Sequence, residues 1–323
     1  MAVYAISGGT GTLGTALAKL LLSQGHKVRA IARNEHGHEK LAKACDNHSH
    51  LSTIVGDVLD KDRLTLALEG CDYLIHAAAM KVIPLCEYSP IEAIRTNIDG
   101  TINAALAALS CSTIKRAAFI STDKACSPST LYGATKLCGE RLWLDANRYC
   151  PKSPRFVAVR YGNVMGSNGS VLHIWEEQAK SGTITVTEPK ATRFHFRLSD
   201  AVAFVLGALH KAAPGELWVP RLRAYRVGDL AAVAHPSCRM DVTGIRPGEK
   251  LHESMISEHE SIDARPEDSH YVLTPGVHQG SGGWSFHSGL PSVTMSMAEI
   301  REELDAWERS SVSHYQAVAS SRL

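Results

Sequence analysis

Apolar segments of strand length alternate with segments of helix length over residues 1–163. The pattern predicts strands at 3–7, 27–32, 51–57, 71–79, 115–122 and 155–163. Between them it predicts helices at 12–25, around 38–46, and at 60–70, 90–110 and 131–149. Strands that alternate with helices form parallel sheets through right-handed crossovers, which place helices on both faces. We therefore expect an α/β fold of the Rossmann type, built on a doubly wound parallel sheet.

The regular alternation ends after Asn163, where short strands and short helices follow. The clearest later elements are a helix at 199–212, a strand at 215–220 and a helix at 296–310, with a tail expected to fray. Residues 257–291 are rich in His, Ser and Gly and favour irregular chain. The predicted parts are a Rossmann domain of residues 1–163 plus 196–234, a smaller mixed α/β substrate lobe of 164–195 plus 235–295, and a C-terminal helix and tail of 296–323.

The composition is that of an ordinary globular protein. Of 323 residues, 44% are hydrophobic and 21% are charged, and the formal net charge is +1, which provides no field to recruit nucleic acid or an anionic membrane. The eight cysteines include no Cys-x-x-Cys pair and the 16 histidines show no metal-ligand spacing, so we expect a reducing compartment and no metal. Neither a signal peptide nor an apolar run of the ~20 residues that a membrane helix needs is visible. A soluble, cytoplasmic protein is predicted.

The segment ISGGTGTLG follows the first predicted strand and opens the first predicted helix. Its glycines let backbone amides approach a pyrophosphate at the N-terminus of a helix, which favours a dinucleotide cofactor. The alternative is a tight turn that happens to be rich in glycine. The candidate cofactor contacts are Gly8, Thr10, Gly11, Thr12, Leu13 and Gly14 in this loop, and Arg33, Asp57, Val58, Ala77, Ala78 and Ala79 after the next three strands.

The end of the second predicted strand bears on the choice between NAD and NADP. NAD sites usually place Asp or Glu there to bind the ribose 2′-hydroxyl, but this chain reads Ala32-Arg33-Asn34. A guanidinium binds a 2′-phosphate through a bidentate fork, whereas a carboxylate repels it. Arg33 therefore favours NADP. The alternative is that Arg33 is a solvated surface residue and that Glu35 binds NAD.

Tyr132 and Lys136 are four residues apart on a predicted helix and therefore share a face. A phenol has a pKa of about 10 and is a poor base at neutral pH, but a nearby ammonium and a positive nicotinamide favour the phenolate. Ser121, at the end of the fifth predicted strand, can hydrogen-bond the same substrate hydroxyl. Together with the glycine loop, these residues predict a hydride-transfer site. The alternative is a tyrosine at a helix start with an ordinary surface lysine behind it.

Five blocks carry a family resemblance: AAAMKVIPLCEYSPIEAIRTNIDGT (77–101), STDKACSPSTLYGATKLCGE (121–140), VRYGNVMGSNGSV (159–171), TRF (192–194) and GIRPGEKLHESMI (244–256). The chain resembles the extended short-chain dehydrogenase/reductase family, and within it the inverting UDP-N-acetylglucosamine 4,6-dehydratases. Residues 257–323 match poorly. The catalytic tyrosine is kept and no transmembrane helix is visible, as in the soluble branch of that family.

The resemblance implies a lyase that converts UDP-N-acetylglucosamine to a UDP-4-keto-6-deoxy-hexosamine, with inversion at carbon 5 and with tightly bound NADP as an internal hydride carrier. Oxidation at carbon 4 acidifies the hydrogen on carbon 5, so a base can remove it while an acid protonates the departing 6-hydroxyl. The reaction therefore needs one acid and one base besides Tyr132, and Asp123 and Lys124 are expected to supply them. The implied catalytic set is Ser121, Thr122, Asp123, Lys124, Tyr132 and Lys136.

The same resemblance implies further contacts. Those expected to touch the cofactor in addition are Lys81, Asn97, Tyr132 and Lys136. Those expected to bind the UDP-sugar substrate are Lys81, Asn163, Gly169, Ser170, Val171, Arg193, Arg246 and Glu249. Cys126 is expected to pack rather than react. The helices at 90–110 and 131–149 are expected to pair between subunits in a homo-oligomer, either a dimer or a hexamer.

Other interpretations stay open at this point. Asp123 and Lys124 form no more than a surface ion pair in one of them. In another, the chain is a UDP-N-acetylhexosamine 4-epimerase, which needs only the tyrosine and a ketone that rotates. A third is a non-catalytic regulator that senses NADP, although a sensor has no need of the phenolate that Ser121, Tyr132 and Lys136 provide.

Overall fold

The computed structural model describes residues 1–150, 153–167 and 169–320, with side chains described as far as residue 309. Within these residues the strands, in chain order, are β1 (Val3–Ser7), β2 (Lys27–Ala32), β3 (Leu51–Val55), β4 (Tyr73–His76), β5 (Arg116–Ile120), β6 (Arg155–Val159), β7 (Asn163–Val164), β8 (Thr183–Val186), β9 (Thr192–Phe196), β10 (Leu217–Pro220), β11 (Ala224–Arg226), β12 (Arg239–Val242), β13 (Ser254–Ile256), β14 (Ala264–Pro266), β15 (His270–Leu273) and β16 (Phe286–His287).

The α-helices of the same residues are α1 (Thr12–Ser23), α2 (Glu35–Ala44), α3 (Lys61–Leu68), α4 (Ile83–Tyr88), α5 (Pro90–Ile94), α6 (Gly100–Ser110), α7 (Leu131–Asp145), α8 (Val171–Ala179), α9 (Leu198–Lys211), α10 (Val227–Ala234) and α11 (Met297–Ser320). No helix among the residues that the structure describes is both long enough and apolar enough to cross a membrane.

The chain forms two compact units, each assembled from three segments. The first contains Met1–Gly162, Leu198–Arg221 and Ser254–Phe286. The second contains Asn163–Arg197, Leu222–Glu253 and the chain from His287 onward. The prediction put residues 222–234 with the Rossmann domain and residues 254–286 with the substrate lobe, so the two units differ from it in these segments.

A nine-stranded sheet forms the centre of the first unit, in the order β14-β15-β10-β6-β5-β4-β1-β2-β3. Seven neighbouring strands of this sheet run parallel, which confirms the doubly wound α/β fold; in order they are β10, β6, β5, β4, β1, β2 and β3. Helices α1 and α9 pack together, and α3, α6 and α7 form another group. The strand order reverses between β1 and β4, and ligands of such sheets bind at the carboxyl ends of the strands beside that reversal.

The far edge of this sheet differs from the sequence-based prediction. Residues 264–273 were expected to be irregular, but β15 pairs antiparallel with β10, and β14 pairs antiparallel with β15. These strands have only three and four residues, so they carry no period that a sequence pattern can detect. Their pairing with β10 explains why Ser254–Phe286 belong to the first unit.

The predicted helix at 90–110 is interrupted in the structure. Pro90 begins the short helix α5, a π-helical turn follows at Arg95–Asp99, and α6 starts only at Gly100. A further helix, α4, lies just before it and was not predicted. The π-helical turn adds a residue to the helix and turns Asn97 into the interior, where it is 2% exposed.

In the second unit β9 pairs parallel with β7 and antiparallel with β11, and β8 pairs parallel with β12. Side chains of α8, α10 and α11 pack against these strands around the buried Trp175. Helix α11 runs to Ser320, whereas the sequence pattern predicted an end at residue 310 and a fraying tail. The last part of that predicted tail, residues 321–323, lies outside the described residues.

Candidate active site

The glycine loop after β1 meets the segment after β4. Gly8 has a φ of +72°, and a Cβ there would lie 2.8 Å from the backbone nitrogen of Ala78. A Cβ at Gly14 would overlap Gly9, and α1 begins at Thr12 without a side-chain cap on its first turn. Gly8 and Gly14 thus let the loop pack closely against neighbouring backbone, and the start of α1 without a side-chain cap fits the pyrophosphate of a dinucleotide.

Arg33 and Asp57 come together at the ends of β2 and β3. Nη1 of Arg33 lies 3.7 Å from Oδ2 of Asp57, and the Arg33 side chain is 64% exposed. Such an exposed pair contributes at most about 1 kcal/mol, so a phosphate could compete for the guanidinium. Val58, predicted beside them, instead packs into the core against Gly100.

The segment Ala77–Ala79 is half-buried, and Asn97 fixes the residue that follows it. The Asn97 side chain accepts a hydrogen bond from the Met80 amide at 2.7 Å and donates to the Met80 carbonyl at 2.9 Å. It also donates to Oγ1 of Thr135 on α7 at 3.0 Å. The amide is thus used to hold the loop beside α7. Asn97 was predicted to contact the cofactor; in the structure its side chain hydrogen-bonds the backbone of the loop that carries Lys81.

Asp123 and Lys124 lie in a 3₁₀ turn directly after β5. Asp123 is 1% exposed, and its Oδ1 accepts hydrogen bonds from Nζ of Lys124 at 3.0 Å and from Oγ1 of Thr122 at 2.9 Å. Its Oδ2 is buried without a partner among the described residues. The pair is therefore not a surface ion pair, and one carboxylate oxygen remains for a ligand.

Tyr132 lies in the first turn of α7, beside this turn. Burial raises the pKa of Tyr132 to about 12, while the positive charge of Lys124 and a hydrogen bond with Thr122 act in the opposite direction. A bare phenol of this kind is a weak base, so the site depends on added positive charge to form the phenolate. Lys124 therefore adds to the positive charge that the sequence pattern predicted from Lys136.

Lys136 is 3% exposed, and its Nζ lies 3.9 Å from the centre of the Phe119 ring. Burial lowers the pKa of Lys136 to about 7, and the nearby Glu140 opposes this shift. A buried lysine of this kind can lose or gain a proton near neutral pH. Ser121, at the end of β5, is also buried, and its Oγ has no hydrogen-bond partner among the described residues. It is therefore available to a ligand hydroxyl.

Two arginines of the second unit that were predicted to bind the UDP-sugar, Arg193 and Arg246, differ in their contacts. Arg193 on β9 donates to the carboxylate of Glu249 at 2.6 Å and to the carbonyls of Thr192 and Leu251. It is already engaged within its own unit, and Glu249 is paired with Arg193 rather than with the side chain of Arg246. Arg246 is exposed, and its backbone amide is 3.3 Å from Oε2 of Glu249.

The loop before α8 carries the other predicted substrate contacts of this unit. Asn163 and Gly169 are exposed, and Val171 begins α8. Ser170 precedes the helix, and its Oγ is buried without a partner among the described residues. Gly166 has a φ of +66° and lies directly under Trp307 of α11. Asn168, within the predicted loop, lies outside the described residues.

Sequence reasoning missed a buried group of charges beside the 3₁₀ turn of Asp123–Ala125. Arg160, which is 0% exposed, donates to the carboxylates of both Glu140 and Glu260. Glu140 and Arg160 fall inside blocks that carry the family resemblance, but nothing in the spacing indicates that they meet. Glu260 lies in the segment that reads as irregular chain.

The chain is similar in sequence and fold to several known proteins. A family model described as polysaccharide biosynthesis protein matches residues 4–275. The UDP-N-acetylglucosamine 4,6-dehydratase (inverting) of Campylobacter jejuni is 38% identical over 277 residues, which cover 84% of this chain and 82% of the relative. The UDP-glucose 4-epimerase of Rickettsia akari is 34% identical over 279 residues, which cover 83% of this chain and 81% of the relative.

Among solved structures, the X-ray structure of Pen from Bacillus thuringiensis is similar with a TM-score of 0.89 and 31% identity, covering 95% of this chain and 98% of that chain. The dTDP-glucose 4,6-dehydratase DesIV of Streptomyces venezuelae, solved with NAD bound, has a TM-score of 0.70 and 17% identity, covering 77% of this chain and 86% of that chain. The latter likeness shows the fold alone.

Proposed function

Because the chain belongs to the polysaccharide biosynthesis protein family of extended short-chain dehydrogenase/reductases, we propose that it is a UDP-N-acetylglucosamine 4,6-dehydratase that inverts carbon 5. The observation that carries the proposal is that Lys124 donates a hydrogen bond to Asp123 and that its positive charge acts on the phenol of Tyr132. An epimerase needs only the tyrosine, whereas dehydration also needs an acid and a base. The 4-epimerase remains the alternative, favoured by the Rickettsia relative.

The chain's own residues divide the chemistry as follows. Ser121 Oγ would hydrogen-bond the 4-hydroxyl, and Tyr132 would take its proton. The bound nicotinamide supplies the chemistry of accepting a hydride from carbon 4 and returning it to carbon 6. Lys124 would remove the proton from carbon 5, which the 4-ketone acidifies, and Asp123 would protonate the departing 6-hydroxyl. A solvent proton then completes carbon 5, on the opposite face if the configuration is inverted.

The 3.0 Å contact between Lys124 and Asp123 gives these two roles a direct connection. A proton that passes from Nζ to the carboxylate yields an amine, which is a base, and a carboxylic acid. The proton that Lys124 takes from carbon 5 can therefore reach the leaving hydroxyl through Asp123.

The experiment that tests the function is incubation of the purified protein with UDP-N-acetylglucosamine. A product lighter by one water is expected, and an isomer of unchanged mass would instead establish the epimerase. In deuterated water, NMR should show deuterium at carbon 5 and report its configuration. Tyr132→Phe should lower kcat by about 10²–10⁴-fold, whereas Tyr149→Phe, an exposed tyrosine of the same unit, should not change it.

The cofactor proposed for the glycine loop is NADP. The exposed guanidinium of Arg33 supports this choice, since a 2′-phosphate can displace its weak pairing with Asp57. Retention of NADP and NAD by the purified protein is the measurement. Arg33→Ala should reduce the binding of NADP and leave that of NAD unchanged. Equal loss of both cofactors, or of neither, would contradict the assignment.

For the UDP-sugar, we propose that Arg246 binds the diphosphate, because its guanidinium is exposed whereas that of Arg193 is engaged. Asn163, Ser170 and Lys81 are proposed as sugar contacts. Arg246→Ala should raise KM more than it lowers kcat. Arg239→Ala, a change at another exposed arginine of this unit, is the control and should leave both constants unchanged.

We also propose a homo-oligomer, a dimer or a hexamer, formed through α5, α6 and α7. Ile91, Leu106 and Leu142 are exposed apolar side chains on these helices, and burial against a second copy would remove them from water. Leu106→Glu should lower the mass measured by light scattering. Leu66→Glu, at an exposed leucine of α3, should not. A wild-type monomer would overturn the proposal.

A further inference from the structure

A buried ion-pair cluster, made of Glu140, Arg160 and Glu260, lies inside the first unit. Nε and Nη2 of Arg160 bind Glu140 at 2.9 and 2.6 Å, and Nη1 and Nη2 bind Glu260 at 3.0 and 2.8 Å. Nη1 also donates to the carbonyl of Met255 at 2.8 Å. Removing three charges from water is costly, so such a cluster is poor evidence for stability alone. Its contacts to neighbouring segments indicate what it does.

One contact reaches the catalytic turn. Sγ of Cys126 donates to Oε2 of Glu260 at 3.3 Å, and Cys126 is the buried residue that ends the turn of Asp123–Ala125. The next residue, Ser127, has a φ of +45°, a conformation that costs a side-chain-bearing residue about 1 kcal/mol or more. The strained end of the turn is therefore held by its surroundings, and Glu260 is one of the groups that hold it.

The cluster also touches the other segments that carry proposed catalytic groups. Glu140 lies one helical turn after Lys136 on α7, the helix that carries Tyr132 in its first turn. Arg160 is followed by Tyr161, whose carbonyl accepts a hydrogen bond from the amide of Asp123 at 3.0 Å. The cluster thus joins the tyrosine helix, the acid–base turn and the end of β6 into one connected set of contacts.

We propose that Glu260 is a positioning residue, which holds the Asp123–Lys124 turn in register with α7 through Cys126 on one side and Arg160 on the other. The inference rests on the proposed dehydratase function. Oxidation at carbon 4 depends on Tyr132 and Lys136, which are on α7 itself, and depends on the turn only through the charge of Lys124. Elimination depends on Asp123 and Lys124, which are on the turn. Loss of the Glu260–Cys126 contact therefore slows elimination more than oxidation.

The test removes the contact and leaves the three charges in place. Cys126→Ala should lower kcat about tenfold, the effect of one hydrogen bond, and leave KM within about twofold. Reduced nicotinamide should accumulate during turnover, seen by its near-ultraviolet absorbance, because the oxidised sugar waits for elimination. Cys126→Ser, which keeps a donor, should restore most of kcat. Cys71→Ala, at a buried cysteine whose Sγ donates to the helix carbonyl of Ala67, should behave as wild type.

Two results would overturn the positioning role. One is that Cys126→Ala matches Cys71→Ala in both kcat and absorbance. The other is that Cys126→Ala and Cys126→Ser lose activity equally and without accumulation of reduced cofactor, because a packing defect alone does not separate the two steps. Wild-type protein in the same assay distinguishes the two proposals: if it releases no water from UDP-N-acetylglucosamine, the dehydratase function fails, whatever the variants do.

Discussion

Lys124 acts on two of the groups that the proposed chemistry needs, Asp123 and Tyr132. Its ammonium donates to Asp123, and its positive charge acts on Tyr132 against the effect of burial. The side chain remains 21% exposed, so it can meet a ligand as well as its two neighbours. One residue thus influences both the acid of the elimination and the base of the oxidation.

Replacing Lys124 should move the ionisation of Tyr132. In Lys124→Gln the charge that favours the phenolate is absent, so the pKa of Tyr132 should rise. The rate of carbon 4 oxidation in single turnovers, measured against pH, should then reach its plateau at higher pH. Lys115→Gln removes a lysine from the exposed pair with Asp72 and should leave the profile unchanged. An unshifted profile in Lys124→Gln would contradict the assignment.

At this scale the sequence predicts residue types and their order, but not which charge acts on which group. The Tyr132 and Lys136 spacing is visible in the sequence, and both lie on one helix in the structure. That Lys124 also acts to lower the pKa of Tyr132 depends on how the turn after β5 packs against α7. Likewise, the pairing of Arg193 with Glu249 joins residues 56 positions apart, which no local pattern contains.

At the scale of secondary structure, the turn of Asp123–Ala125 lies unusually close to helix α7. A Cβ at Gly133, the residue after Tyr132, would lie 2.2 Å from the carbonyl oxygen of Lys124. Because the opposing atom belongs to the backbone, any side chain at position 133 has to displace the turn. Gly133 therefore sets the distance between the tyrosine and the acid–base pair.

Gly133→Ala should lower kcat by at least about tenfold, because the shifted turn misplaces Asp123 and Lys124 for the elimination. Gly207→Ala is a matched control, because Gly207 is also helical but has open space around its Cβ position. That control should keep full activity and gain up to about 1 kcal/mol of stability from helix propensity. Full activity in Gly133→Ala would show that the turn tolerates displacement.

The sequence predicts elements well where a period is long enough to be read. Strands β1, β2 and β5, and helices α1, α3 and α7, lie within the predicted segments. The break of 90–110 into α5, a π-helical turn and α6 was missed, because one inserted residue hardly changes the apolar pattern. Strands β14 and β15 depend on pairing with β10, which is a tertiary contact.

For the molecule as a whole, the buried ion-pair cluster links stability to acidity. Burial alone would raise the pKa of Glu260, but Arg160 lowers it from 4.5 to about 2. A carboxyl with a lowered pKa contributes stability above its unfolded value, and that contribution is lost as pH falls from about 4.5 toward 2. The full contribution is about 3 kcal/mol.

Glu260→Gln should therefore be less stable than wild type at neutral pH, and the difference should shrink as pH falls below about 4.5. Urea unfolding of both proteins at neutral pH and near about pH 3 measures the difference in free energy of unfolding. Glu267→Gln, at an exposed glutamate of the same unit, should show little difference at either pH. A Glu260→Gln deficit that does not depend on pH would contradict the ionic origin.

The order in which the nine-stranded sheet is filled has a consequence for synthesis on the ribosome. β6 is made before residue 160, but β10 beside it comes only at Leu217–Pro220, and β15 at His270–Leu273. Until then the nascent chain presents the free edge of β6, whose Val157 and Val159 are fully buried in the finished protein. An unpaired, apolar strand edge is a template for aggregation. Premature termination between residues 160 and 216 should thus yield chains that depend on chaperones, even though every proposed catalytic residue has already been translated.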